Sequence, residues 1–140
     1  MTKYVLDSCV LIKTALPESD SDKALVLIQA CQNEIHELIA PDILPAEVAH
    51  ALLRAERTNI IKPGDAITKL TKALATRPTL HSYLPLIPRA AAISSKARIG
   101  FYDCLYAALS EREGCELITS DVKLIKALPG FPIIDLATMP

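Results

Sequence analysis

Four acidic residues stand where the pattern of the chain predicts that strands end or helices begin: Asp7, Glu47, Asp103 and Asp121. Asp7 follows the apolar residues 4–6, and Asp121 ends the segment ELITSD. In an open parallel sheet, ligands bind beyond the carboxyl ends of the strands, so these acids are expected near one edge. Crowded carboxylates are costly without cations, and Mg²⁺ or Mn²⁺ takes carboxylate oxygens and water. One or two such ions could activate a water and stabilise the leaving oxygen of a phosphodiester.

Each acid taken alone has a simpler interpretation. Asp7 and Asp121 could cap helices, because aspartate is among the preferred N-cap residues. Asp103 could complement a helix dipole from the first turn of YDCLYAALSER, although its neighbours are apolar. Glu47 could lie on a solvated helix face, which is the usual place of a glutamate. Only the four acids together favour a metal site over capping.

The elements that would position these acids alternate between strand and helix patterns. Such alternation predicts parallel strands joined by right-handed crossovers, and therefore a layered α/β domain. The predicted strands cover about residues 4–6, 34–41, 79–85, 115–121 and 132–136. The predicted helices cover about residues 8–15, 23–32, 44–58, 66–75, 87–99, 102–113 and 122–128.

The composition sets outer bounds on the function. The 140 residues suit one domain over residues 1–140, and a net charge of −1 gives no overall preference for polyanions. The apolar runs are too short to cross a bilayer and no signal peptide is visible, so we expect a cytoplasmic protein without membrane contact. The four cysteines are scattered and form no C-x-x-C, and the histidines show no metal-ligand spacing with them, so a zinc site is not expected.

Three segments carry a resemblance to a known family. YVLDSCVLIK, PAEVAHALLR and FYDCLYAALSEREGCELITSD are similar, in this order, to the acidic blocks of PIN-domain proteins, most closely the VapC-like ribonuclease toxins. The resemblance assigns the four acidic positions of the family to Asp7, Glu47, Asp103 and Asp121. Thr119 matches a threonine that often stands two residues before the last acid.

The resemblance implies a three-layer α/β/α domain with a central, mainly parallel sheet. It also implies an endoribonuclease that uses Mg²⁺ or Mn²⁺ bound by the four acids. Members of the family are commonly homodimers, and a cognate antitoxin inhibits them near the acidic pocket. The expected partners are therefore an RNA substrate, an antitoxin protein and a second copy of the chain.

Other residues are expected to support such a site. Thr119 and Ser8 are the candidates for supporting the acids, and Cys9 departs from the serine or asparagine expected two residues after the first acid. Because RNA must reach an acidic pocket, basic residues should surround it. The first candidates, chosen for nearness in sequence, are Lys13, Arg54 and Lys123, and the next are Lys96 and Arg98. Tyr102 or Tyr106 could stack on a base.

Three alternatives remain open. A haloacid-dehalogenase-like phosphatase would have a second aspartate where this chain has Cys9. A response-regulator receiver would have a lysine at the end of its last strand, where this chain has PIID. The third alternative is a catalytically weak PIN-like module that binds or regulates a partner, and Cys9 keeps it open.

Overall fold

A computed structural model describes residues 1–76 and 78–140 as strands alternating with helices. The strands are β1 (Thr2–Leu6), β2 (His36–Pro41), β3 (Thr79–His81), β4 (Glu116–Thr119) and β5 (Ile133–Asp135). The helices are α1 (Ser8–Ala15), α2 (Ser21–Gln32), α3 (Leu44–Arg57), α4 (Asp65–Leu74), α5 (Ile87–Ala97), α6 (Phe101–Glu113) and α7 (Val122–Ala127). Short 3₁₀ turns cover Leu84–Leu86 and Leu136–Thr138.

The five strands form one parallel sheet in the order β3-β2-β1-β4-β5. Its central strands are buried on both faces, since the consecutive residues Val5 and Leu6 are both fully buried. Consecutive apolar residues, rather than alternating ones, are typical of a parallel sheet covered by helices on both sides. The predicted layered α/β architecture is confirmed.

The strand order places a reversal at β1. From β1 the chain moves outward to β2 and β3, and it then crosses back to β4 on the other side of β1. Right-handed crossovers put α1 to α4 on one face of the sheet and α5 to α7 on the other. The crevice beyond the carboxyl ends of β1 and β4 is therefore the topological switch point, where α/β sheets of this kind bind ligands.

Helix α6 is the central helix of its layer. Every residue from Cys104 to Ser110 is buried, and the helix contacts β1, β2 and β4 as well as α5. Gly114 ends it with a φ of 63°, a left-handed conformation that costs glycine little. Because α6 is held on all sides, its first turn carries Asp103 to a fixed place above the sheet.

Several predicted elements end earlier than expected, and two of them show the local cause. The strand predicted over residues 79–85 keeps its ladder only to His81, and a 3₁₀ turn that contains Pro85 follows. Helix α5 ends at Ala97 because Arg98 takes a left-handed φ of 60°. In the part of the chain that the structure describes, no helix is long and apolar enough to span a membrane.

Candidate active site

The carboxyl ends of β1 and β4 bring Asp7 and Thr119 into direct contact. The Thr119 hydroxyl donates to Oδ2 of Asp7 over 2.6 Å, and the same hydroxyl accepts the amide of Asp121 over 3.1 Å. Thr119 therefore joins the two strand-end aspartates through one side chain. Asp7 is 4% exposed and stands at the start of α1, but its side chain makes no capping hydrogen bond, which separates it from an ordinary N-cap.

Asp121 is a helix cap whose charge also reaches two of the other acids. Its Oδ1 accepts the amides of Lys123 and Leu124 over 3.0 and 3.3 Å, which caps helix α7. Its charge also acts on Asp7 and Asp103, because it raises the pKa of both carboxyls. The capping interpretation is correct for Asp121, and it leaves Oδ2 of that carboxylate outside the cap.

Cys9 occupies the space between the two strand ends. Its Sγ lies 3.3 Å from Oδ2 of Asp7, 3.5 Å from the Thr119 hydroxyl and 3.3 Å from the Ser120 hydroxyl. Burial, followed by the charge of Asp7, raises the pKa of the Cys9 thiol to about 12. Cys9 therefore stays a neutral thiol that can donate a weak hydrogen bond to Asp7, in the place where a hydroxyl or amide was expected.

Glu47 is held from the opposite helix layer. The phenol of Tyr106, a fully buried side chain on α6, donates to Oε1 of Glu47 over 2.6 Å. Burial is the largest cause that raises the pKa of Glu47, the Tyr106 hydrogen bond opposes it, and Asp7 raises it further. Ser8, which is 8% exposed, lies close enough to Glu47 to lower its pKa.

The position of Tyr106 differs from its expected role. A fully buried ring cannot stack on an RNA base, so the stacking suggested for Tyr106 is excluded, whereas Tyr102 is 57% exposed. Sequence reasoning missed Tyr106 as the partner of Glu47. The sequence did carry one sign of this role: Tyr106 follows Asp103 by three residues, so both side chains lie on the same face of the helix.

The pKa of Asp103 is raised by its burial and by the charges of the other three acids. Its pKa rises from 3.8 to about 6, first through burial and then through the charges of Asp7, Asp121 and Glu47. The pKa of the deeply buried Asp7 is raised as well, mainly by burial and partly by Asp121. Asp7, Glu47 and Asp121 thus lie close enough to Asp103 to disfavour its anionic form.

The donor set fits a hard divalent cation. All four groups are carboxylates, and a cation between them would offset the repulsion that adds to burial in raising the pKa values of Asp7, Glu47 and Asp103. Among residues 1–76 and 78–140, no group of three or more histidines, cysteines or acids is placed to hold a metal ion by itself. Mg²⁺ is nevertheless commonly held by one or two carboxylates and several waters, so a complete protein cage is not required.

The predicted basic residues lie in different environments. Lys13 is 8% exposed, and its ammonium bonds the Ser19 carbonyl over 2.9 Å and the Glu18 carboxylate over 3.3 Å. Lys13 therefore ties α1 to the following loop. Arg54 lies exposed on α3, two turns after Glu47, and Lys123 lies exposed at the start of α7.

The chain is similar to known proteins in both sequence and structure. The family model of the PIN domain matches residues 4–128. The ribonuclease VapC3 of Pyrobaculum aerophilum is 30% identical over 131 residues, which cover 92% of this chain and 97% of that protein. The ribonuclease VapC1 of Mycobacterium tuberculosis is 34% identical over 133 residues, which cover 91% of this chain and 95% of that protein.

Solved structures show the same fold. A Pyrobaculum aerophilum protein superimposes with a TM-score of 0.72 at 24% identity, over 98% of this chain and 92% of the other. VapBC2 of Rickettsia felis, bound to a promoter DNA fragment, gives a TM-score of 0.69 at 17% identity, over 96% and 98% of the two chains. A toxin–antitoxin complex from Klebsiella pneumoniae gives 0.61 at 18% identity, over 95% and 97%.

Proposed function

This chain belongs to the PIN-domain family, and we propose that it is an endoribonuclease that uses Mg²⁺ or Mn²⁺ and serves as the toxin of a toxin–antitoxin pair. Two relatives that are 30% and 34% identical are both named ribonuclease VapC, and each is matched over nearly its whole length. The single observation that carries the proposal is the convergence of the four acids: Thr119 joins Asp7 to Asp121, and the charges of Asp7, Asp121 and Glu47 all act on Asp103.

In three of the four acids, one carboxylate oxygen accepts hydrogen bonds from the protein. Oδ2 of Asp7 accepts the threonine hydroxyl, Oε1 of Glu47 accepts the tyrosine phenol, and Oδ1 of Asp121 accepts two amides. Each carboxylate is thereby fixed through one oxygen, and the other oxygen is the one that would bind an ion. Asp103 would complete the set. Fixing ligands through a second hydrogen-bonded atom is how proteins orient metal-binding side chains.

In hydrolysis, the residues of this chain would hold the metal ion and orient its ligands. A bound divalent ion would lower the pKa of water and neutralise charge on the leaving oxygen of the phosphodiester. Asp7, Glu47, Asp103 and Asp121 would hold the ion, and Thr119 and Ser8 would keep Asp7 and Glu47 in place. The raised pKa of Asp103 makes that carboxyl able to hold a proton at about pH 6 when no cation is bound.

Basic side chains would guide the RNA backbone to this acidic pocket. Arg54 and Lys123 are exposed on elements that also carry a site acid, α3 and the start of α7. Contacts of this kind bind phosphates without reading sequence. We leave Lys13 out of the RNA contacts because its ammonium is already used within the fold.

The partner proteins would use the apolar surface of the helices. Leu25 and Val26 on α2 are 46% and 56% exposed, and Ile67 on α4 is 70% exposed. A groove of about 470 Å³ runs beside α2 and α4, where Leu25 and Lys69 are among its lining residues. An antitoxin and a second copy of the chain are the partners we propose for such surfaces.

The test is cleavage of total cellular RNA by purified protein with Mg²⁺, Mn²⁺ or EDTA, followed by analysis of the new RNA ends. Because water is the nucleophile, the products should carry monophosphate ends and no 2′,3′-cyclic phosphate. Asp7→Asn and Asp121→Asn should abolish the cleavage. Cyclic phosphate ends, or cleavage that persists in EDTA, would point to a contaminating or different nuclease and contradict the proposal.

The alternative of a binding or regulatory module has its own outcome in this experiment. Folded protein that binds Mg²⁺ or Mn²⁺ in calorimetry but cleaves no RNA would favour it. The main reason for that alternative was Cys9, and the contact of its thiol with Asp7 weakens this reason.

A further inference from the structure

A cleft opens directly beside the acidic pocket. Its volume is about 510 Å³, within the range of small-ligand sites. Ser8 and Glu47 belong to both the cleft and the acidic pocket, so a group in the cleft would adjoin whatever the acids hold. The complete lining consists of Ser8, Ile12, Ile43, Ala46, Glu47, His50 and Tyr102.

The lining has the chemistry of a site for a flat, aromatic group with polar edges. Ile12, Ile43 and Ala46 supply apolar walls, and His50 and Ser8 supply polar atoms. Such a mixture of apolar walls with a few polar groups is usual for pockets that orient a small heterocycle.

Tyr102 supplies an aromatic surface at the mouth of this cleft. Its side chain is 57% exposed, and its ring packs at 5.9 Å from the ring of Phe101, with the two planes tilted by 59°. The half-buried Phe101 therefore holds the Tyr102 ring in place while leaving much of it accessible. An exposed and supported aromatic ring is the common platform on which single-stranded nucleic acid stacks its bases.

Helix α3 places a cation further along the same path. A second cleft, of about 250 Å³, shares Ile12 and His50 with the first and includes Arg54 in its lining. Glu47, His50 and Arg54 are spaced by three and four residues, so they follow one another along one face of α3. Glu18 also lines the second cleft, but the ammonium of Lys13 pairs with it.

We propose that the first cleft binds the base of the nucleotide next to the scissile phosphate, with Tyr102 stacking on that base and Arg54 contacting the following phosphate. The order along α3 matches the order of groups in an RNA strand: a phosphate at the acids, a base in the cleft and a phosphate at the cation. This inference rests on the proposed function, and it adds a subsite that selects single-stranded RNA.

The first experiment measures cleavage of a single-stranded oligoribonucleotide by four proteins in Mg²⁺. Tyr102→Ala should lose about tenfold in kcat/KM, mainly through KM, because base–aromatic stacking contributes on that order. Tyr102→Phe keeps the ring and should stay within about twofold of the wild type. Leu84→Ala is the matched control, since Leu84 is 63% exposed and lies in the 3₁₀ turn outside the cleft.

A second substrate locates the base that is read. Replacing the nucleoside next to the cleaved bond by an abasic residue should slow the wild type about tenfold but should not slow Tyr102→Ala further. Equal losses in both proteins would show that the base and the ring act independently, and that result would overturn the subsite. Unchanged kinetics in Tyr102→Ala would overturn it as well, while the nuclease activity of the wild type would stand.

A binding assay separates the subsite from the proposed activity. The chain contains no tryptophan, so Tyr102→Trp places a single tryptophan at the cleft, whose fluorescence can be excited apart from that of the remaining tyrosines. Binding of the oligoribonucleotide in EDTA should quench this fluorescence, whereas an abasic strand should quench it much less. Quenching without any Mg²⁺-dependent cleavage by the wild type would support the subsite and refute the nuclease. Absence of quenching at oligonucleotide concentrations above KM would refute the subsite alone.

Discussion

The phenol of Tyr106 donates a 2.6 Å hydrogen bond to Oε1 of Glu47 and so joins α6 to α3. Both residues belong to helices that also contribute to the acidic pocket, but they lie in different layers of the fold. The bond fixes one oxygen of Glu47 and lowers its pKa against the effect of burial. Tyr106 is therefore a positioning residue for the acid that α3 supplies.

Tyr106→Phe removes this one oxygen and keeps the buried ring. We expect the Mg²⁺ concentration for half-maximal cleavage to rise about 10-fold or more, as for other residues that orient metal ligands. Because the pKa of Glu47 would rise without its donor, the acidic limb of the pH–rate profile should move to higher pH. Tyr83→Phe, at a half-buried tyrosine outside both clefts, is the control, and a Tyr106→Phe variant with unchanged metal dependence and pH profile would show that Tyr106 only packs.

Asp103→Asn should make the metal-free protein more stable. The folded pKa of Asp103 is about 6 against an ordinary 3.8, so the folded state binds the extra proton between these values. Stability attributable to this group is present below about pH 4 and is lost as the pH rises through about 6. At pH 8 in EDTA the variant should melt about 2–5 °C higher than the wild type.

The comparison at low pH checks the cause. Near pH 4 both side chains are neutral, so the difference in melting temperature should vanish. Asp22→Asn, at an exposed position in the first turn of α2, should give no increase at either pH. A variant that melts lower than the wild type at pH 8 would mean that Asp103 is stabilising as an anion.

Mg²⁺ should stabilise the wild-type fold by binding among the acids. At 100 times the dissociation constant, ligand binding adds about 2.7 kcal/mol to the free energy of unfolding. The melting temperature should rise with Mg²⁺ and return with EDTA, and the rise should be much smaller in Asp7→Asn. NaCl at matched ionic strength separates binding from general screening. An equal rise in NaCl would contradict specific binding.

Cys9→Ser should retain or increase activity. A serine hydroxyl is a stronger donor than the neutral thiol that now contacts Asp7 over 3.3 Å. Cys9→Ala should raise the Mg²⁺ requirement, because Asp7 loses that donor while the Thr119 hydroxyl remains. Cys31→Ser, on α2, is the matched control. Activity in Cys9→Ala equal to that of the wild type would leave Thr119 as the residue that orients Asp7.

The strand-end positions of Asp7 and Asp121 were readable from sequence. An apolar run followed by an acid and a helix pattern indicates the carboxyl end of a strand. In a parallel sheet, these ends all lie at the same edge. The family resemblance added the order of all four acids. Capping was the simpler interpretation of both aspartates, but the sequence could not show that Asp121 caps its helix and Asp7 does not, because that depends on the local backbone.

The contacts of Tyr106 and Lys13 were not predictable in the same way. Helix α6 is buried almost all round, so its apolar pattern does not mark which face meets α3. Lys13 lies on α1 near an acid in sequence, yet its partners Ser19 and Glu18 belong to the loop beyond Pro17. Loop paths of this kind depend on tertiary packing rather than on local periodicity.

The most direct test of the central claim is cleavage of a single-stranded oligoribonucleotide as a function of Mg²⁺ by four amide variants: Asp7→Asn, Glu47→Gln, Asp103→Asn and Asp121→Asn. Asp135→Asn is the matched control, since Asp135 ends the adjacent strand β5 and caps a turn through the amide of Ala137. The account predicts Mg²⁺-dependent cleavage by the wild type and the control, and a loss of at least about 100-fold in each amide variant. Cleavage that survives in these variants, or an equal loss in Asp135→Asn, would contradict it.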